Sequence, residues 1–346
     1  LGGKVGQRKH QGVFFLFIFI SLFSFKLMAW GERGHHIICD VATRLVQNDE
    51  LSRFLRGRGH LSGHVCNIPD IHWKDLSTNT KLIDASHFMD PENLGYKINE
   101  VPLDFGQIAA EKSKTQEQVA LELGSMWWRA EQFYRRAVTG LKLAKTADFP
   151  DKSHFQDKSN PYNQGIFDFI TNLSLMGHYV GDASVPYHNT SDYDGWEKGR
   201  GGIHSYYESA SVEAMGMSLE NMVYEKALHL KRTLGTGKGE DSSSVLETLK
   251  ELSIQAAHEI SKVEDLDQVL SPSDKNSKSY AKRPPAEKGA KAFKDLIHSQ
   301  LARSSLALAK LWEKAWEEGG AVSFKGYRSY QYPLAPEIVP LDYLSK

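Results

Sequence analysis

The sequence predicts an all-α protein, a single mainly helical domain with long ordered loops. Three observations carry this expectation. Six stretches between positions 37 and 318 place apolar residues at helical spacing, whereas no series of alternating apolar and polar residues reads as strands. No glycine-rich nucleotide-binding loop and no internal repeat divides the chain. At 346 residues, 40% of them hydrophobic, it is long enough for one sizeable core.

The elements are taken in chain order. Residues 1–29 begin with Lys4, Arg8 and Lys9, continue as the 13-residue apolar run VFFLFIFISLFSF and close on KLMA. A basic start, a short apolar stretch and a small residue at Ala29 describe a secretory signal peptide, with Trp30 expected at the mature N-terminus and a secreted or periplasmic location. A run of 13 residues is short for spanning a bilayer. Helical spacing then covers 37–55, and 60–102, rich in Pro, Asn, Asp and His, reads as a long ordered loop region. Residues 115–146 form one long helix or a pair, and 164–181, with GIFDFITNLSLMGHYVG, is strongly apolar. Further helices are expected over 205–230, 243–261 and 290–318. Residues 262–289, with SPSDKNSKSYAKRPPAEKG, read as a flexible surface connection. The tail 319–346 reads as an irregular strap, because its Pro residues oppose a terminal helix. The expected organisation is thus a leader over 1–29, one domain over 30–318 and a C-terminal tail.

Charge narrows the function classes. Four basic residues and no acidic one lie in the leader, which leaves 38 basic against 43 acidic side chains, about −5. Such a surface cannot hold nucleic acid or anionic lipid by general basicity, so phosphate chemistry would need a local positive charge, and a metal is one source. Cys39 and Cys66 are the only cysteines; in an exported protein they are expected to pair as a disulfide. Neither belongs to a tight metal-binding pair, which moves attention to histidine.

The sharpest local signal is MGHYVGDASVPYH. His178 and Asp182 are four apart on a helix that Pro186 must end, so both leave the same face one turn apart, and Asp182 would be a poor core residue without a strong partner. His188 follows the stop. GGIHSYYESA adds His204 and Glu208, again four apart, and with His188 they make a three-ligand zinc set. Either pair alone could be a core histidine or a surface ion pair; together they point to metal. Asp70 in IPDIHW and His87 in ASHFMD combine sensibly with His178 and Asp182 in another site. A free Trp30 amino group, its carbonyl oxygen and His35 can chelate a third ion with Asp182 shared, provided the leader has gone. His36 would point elsewhere and reads as a packing or surface residue.

In this order WGERGH, the Asp70 loop, HFMD, H178-x3-D182-x5-H188 and H204-x3-E208 resemble the ligand set of the superfamily that unites single-strand-specific zinc nucleases with bacterial zinc-dependent phospholipase C. The resemblance covers Trp30 to roughly Trp312. It implies a helical phosphodiesterase domain that binds three Zn2+ ions: one through Asp70, His87, His178 and Asp182, a close neighbour through Trp30, His35 and Asp182, and a more separated one through His188, His204 and Glu208. Adjacent metals can lower the pKa of a water and offset charge on a transferring phosphate. Asp70 is then also the candidate for orienting that water or moving its proton.

Two branches compete for the substrate. The compact W30-G-x-x-G-H35 follows the nuclease pattern. Phe88 resembles the aromatic that stacks on a nucleobase, which suits single-stranded nucleic acid because paired bases hide their faces. Lys74 can add a phosphate contact or simply be solvated. Glu208 as last ligand and SHFMDPENLG sit closer to the phospholipase branch, whose substrate would be a phosphatidylcholine-type headgroup. The expectation is a single-strand-specific endonuclease, with phospholipase C as the alternative, no protein partner and a monomer.

Overall fold

The computed structural model describes residues 30–74, 80–233, 243–329, 333 and 337–344. The expected leader lies outside them. The described chain is mostly helical without a sheet, containing three isolated β-bridges. Among the described residues no helix is long and apolar enough to cross a membrane.

The first helical stretch divides into two. α1 (Gly31–Leu45) buries Ile37, Ile38, Val41, Ala42 and Leu45 and carries Glu32 and Arg44 at the ends that suit their charges. It stops where Val46 turns extended. Asn48 then starts α2 (Asp49–Arg56), its side chain accepting hydrogen bonds from the Glu50 and Leu51 amides at 3.1 Å.

The region expected to be loop over 60–102 is corrected by α3 (Gly59–Ile68), α4 (Thr80–Ala85) and two short 3-10 turns, Pro91–Leu94 and Ile98–Glu100. In α3 the apolar stripe is Leu61, Val65 and Ile68, all buried, interleaved with Gly, Ser, His and Asn that conceal the spacing. α3 packs on α1 and runs into a π-helical turn, Pro69–Trp73.

Beyond it come α5 (Phe105–Lys112) and α6 (Gln116–Leu123). Gly124, at φ 85°, separates α6 from α7 (Met126–Thr146), so residues 115–146 are a pair. Asn160 caps α8 (Pro161–Ala183) with Pro161 in its first turn. α7 and α8 form the most extensive helix pair of the fold. They approach closely at Gly140 and Gly165, where a methyl on either would strike the other's carbonyl oxygen.

α9 is a helical run assembled from Ile203–Ser205, a π turn Tyr206–Ala210 and Ser211–Glu213; it is followed by α10 (Leu219–Thr233), α11 (Val245–His258) and α12 (Ile260–Leu266). The 33-residue α13 (Ala286–Glu318) packs along α1 and α10 and also meets α7 and α8.

Residues 262–289 are not a loose connection. After α12 the chain folds back on itself through the bridges Ser271 to Lys282 and Asp274 to Ser279. This strap is fastened to the segment before α9: Ser273 N–H donates to Gly199 O at 2.8 Å and Ala281 N–H to Gly201 O at 3.0 Å. Asp267 receives Arg283 at 2.8 and 3.0 Å and Arg200 at 3.1 Å. The sequence looked flexible because the strap's partners come from sixty to eighty residues away. The described part of the C-terminal tail is irregular apart from Asp342–Leu344, and buried Arg129 holds it, donating to Val339 O at 2.7 Å.

The expected disulfide is also corrected. Cys39 on α1 and Cys66 on α3 are buried as free thiols next to each other, against Gly177 of α8. Burial pushes the Cys66 thiol well up, and a hydrogen bond with Cys39 adds to this, so Cys66 sits as a protonated thiol. The Cys39 thiol also contacts Ser174 O at 3.9 Å.

Candidate metal centre

Each candidate ligand reaches the centre from a helix end or a turn. His35 lies one turn into α1 and enters where Gly181 of α8 leaves room; a methyl on Gly181 would approach His35 Nδ1 to 2.8 Å. Asp70 is swung inward by the π turn after α3 and is buried. His178 and Asp182 occupy the last turns of α8, and His188 closes the 3-10 turn that Pro186 begins. His204 and Glu208 come from α9, the carboxylate within its π turn.

The structure gathers these residues into three buried groups: His35 with His178 and Asp182, Asp70 with His87 and His178, and His188 with His204 and Glu208. Within each, one potential ligand atom per residue lies within 4.8 Å of the others. His178 belongs to both of the first two groups, and Asp182, of the first, also faces the second. Asp182 Oδ1 is 3.3 Å from His35 Nε2, while Oδ2 is 3.0 Å from His87 Nδ1 and 3.4 Å from His178 Nε2. Asp70 Oδ1 stands 3.8 Å from both His87 Nδ1 and His178 Nε2. In the third group Glu208 Oε2 is 3.0 Å from His204 Nε2 and 3.6 Å from His188 Nε2.

Orientation is set by a surrounding layer of hydrogen bonds. His188 Nδ1 donates to His87 O at 2.7 Å, which fixes the tautomer and leaves Nε2 facing Glu208. Met89 N–H returns a bond to His188 O at 2.8 Å. Asp194, which sequence reasoning passed over in SDYDG, accepts the amides of Gly202 at 2.9 Å and His204 at 3.3 Å and thereby seats the start of α9. Its signal was an Asp just before a glycine-rich turn that precedes a ligand helix.

Trp30 is fully buried in a left-handed conformation, φ 39°. Its indole N–H donates to Gly181 O at 2.9 Å and Ser184 Oγ at 3.1 Å. Its main-chain N–H faces the Glu208 carboxylate and offsets a small part of the rise that burial gives that group's pKa. This contact places the backbone nitrogen, expected beside His35 and Asp182, against the carboxylate of the third group.

The electrostatics fit cations. Burial holds His87 and His178 well below their ordinary pKa and takes His188 and His204 down to about 4, so the imidazoles are in the neutral, metal-binding form. Burial pushes Asp182 well up, with the Asp70 charge adding to it, and raises Glu208 to about 7. Bare carboxylates are costly here, and a cation would relieve that cost. Asp182 Oδ1 and His204 Nε2 are buried without a hydrogen-bond partner, as coordinating atoms would be.

Comparison with protein-family models and with curated proteins finds no match for this chain. The chemistry of the centre rests on its own donor set: neutral imidazoles and carboxylates in three neighbouring groups can hold metal ions.

Two expected substrate residues occupy different places. Phe88 is partly exposed beside the third group, its ring 4.6 Å from His188 and 6.3 Å from His204. Tyr193, not singled out in the sequence, stands 6.0 Å from both Phe88 and His204 and is 39% exposed, so two aromatic rings flank this group. Lys74 instead reaches Asp70 Oδ1 at 2.6 Å. Burial alone would lower the Lys74 pKa, but the Asp70 charge and hydrogen bond more than offset it and raise it.

Proposed function

We propose that this protein is a zinc-dependent phosphodiesterase with three metal ions, an endonuclease acting on single-stranded DNA or RNA. The observation that carries this reading is the convergence of nine expected ligand residues on one buried region, eight as side chains in three neighbouring groups and the ninth as the Trp30 main chain. His35, His178 and Asp182 with Trp30 would hold one ion, Asp70, His87, His178 and Asp182 another, and His188, His204 and Glu208 the third. When bound, the ions would supply Lewis acidity toward a phosphate and lower the pKa of a water.

The chain's own residues do the rest. Asp182 fixes the spacing of the first two groups through its separate oxygens. Asp70 is restrained by Lys74, which holds one of its oxygens and orients the other, the arrangement required of a group that positions a water. Phe88 and Tyr193 offer ring faces beside the third group, which suits an unpaired base, because stacking needs an exposed base face.

Glu208 supports a second reading, phospholipase C, since a Glu in this place is closer to that branch of the resembled superfamily. Product analysis separates the two. The Zn2+-loaded protein should release nucleotides from single-stranded oligonucleotides and lose this activity to a chelator; diacylglycerol from phosphatidylcholine with intact oligonucleotides would overturn the nuclease reading.

A further inference from the structure

α1 and α3 place four side chains of types that can ligate a metal near one another, apart from the three buried groups. His36 and Asp40 are four apart on α1, and His60 and His64 are four apart on α3, so each pair leaves its own helix on one face. The two helices pack directly. The glycines of GHLSGH make the fit: a methyl on Gly63 would collide with the His36 ring, and one on Gly59 with Asp40 Oδ1. Gly59 and Gly63 thus seat the α1 pair against α3, while each is followed at once by a histidine.

We propose that His36, Asp40, His60 and His64 form a surface site for a divalent transition-metal ion, separate from the buried centre. The His36 and His60 ring centroids are 5.7 Å apart. His60 is exposed, so its ring can turn toward His36 without losing packing, and His36 and His64 are half-buried. Arg44 binds Asp40 Oδ2 at 3.0 Å, which leaves Oδ1 on the glycine side. Glu220 of α10 meets the same Arg44 at 2.5 Å and feels the charge of His60, adding a carboxylate to the rim.

The donor set decides the class of ion. Imidazoles with one carboxylate suit Zn2+, Ni2+ or Cu2+, whereas Mg2+ and Ca2+ require oxygen ligands. Two histidines four apart on a helix can chelate such an ion by themselves, and His36 from the packed helix converts that chelate into a clamp. The clamp would join α1, which carries His35, to α3, which leads into Asp70.

The test uses the untagged full chain, loaded with Zn2+, desalted and then titrated with Ni2+ by calorimetry. Wild-type protein is expected to bind one more Ni2+ per chain than His60→Ala/His64→Ala, with catalytic activity equal in the two. His60→Gln alone, at an exposed position that should not disturb folding, is expected to weaken the added ion about tenfold or more. Identical isotherms for wild type and the double variant would overturn the site, and so would unchanged Ni2+ affinity in His60→Gln.

Discussion

Asp182 Oδ1 lies 3.3 Å from His35 Nε2. The other oxygen of the same carboxylate faces His87 and His178, so Asp182 is the hinge between two groups of ligands. In contrast, His188 takes part in one group alone. Asp182→Ala should therefore lower bound zinc by about two ions per chain and His188→Ala by about one, read by elemental analysis of the desalted protein. Equal losses would show that Asp182 is not shared.

Activity should follow the same residues. His188→Ala is expected to reduce phosphodiester hydrolysis more than about a hundredfold, since it removes a ligand whose Nε2 faces Glu208. His229→Ala, at an exposed position on α10, should leave the rate within about twofold. Steady-state rates with a single-stranded oligonucleotide provide the comparison.

Buried Trp30 gives a test of the proposed main-chain ligand. A chain that begins at Trp30 should bind one ion more than a chain with residues retained before it, because acylation removes the amino lone pair. The indole bonds to Gly181 and Ser184 would place Trp30 in both. The same zinc content in the two chains would argue against an N-terminal ligand.

Asp90 supplies a pH dependence. Burial, with Glu92 nearby, pushes its carboxyl up to about 7. Between about pH 4 and that value the folded protein holds a proton that the unfolded chain has lost, so this group makes stability fall as pH rises through the window. Asp90→Asn should gain stability relative to wild type between about pH 5 and about pH 8, measured as the shift in urea midpoint. A difference that does not change with pH would contradict the assignment.

Asp267 tests the strap. Its carboxylate is buried between Arg283 and Arg200, and removing it leaves two guanidinium groups without their shared anion. Asp267→Ala should cost about 3 kcal/mol in urea unfolding. Because the strap is bonded to Gly199 and Gly201, close to His204, zinc of the third group should also become easier to remove with a chelator.

Much of the centre was legible in the sequence because its ligands come in short local patterns. His178 with Asp182 and His204 with Glu208 use the helical spacing of four, and Asp182 and Glu208 would be too costly to bury without cations. The all-α class followed from periodicity for the same reason: helices are local. α3 escaped notice because Gly and His diluted its apolar stripe.

The sequence by itself therefore determined the helical class and the residues that gather into three buried groups able to hold metal. Only the tertiary structure decided which oxygen of Asp182 faces which histidine, that Lys74 is spent on Asp70, that Tyr193 joins Phe88 and that Cys39 and Cys66 stand as free thiols. It also decided that the strap is ordered, through contacts with Arg200 and Gly199. The physical reason is range. Helical periodicity and residue chemistry act within a few positions, whereas these pairings join residues far apart in the chain, and only close packing brings them within reach of one another.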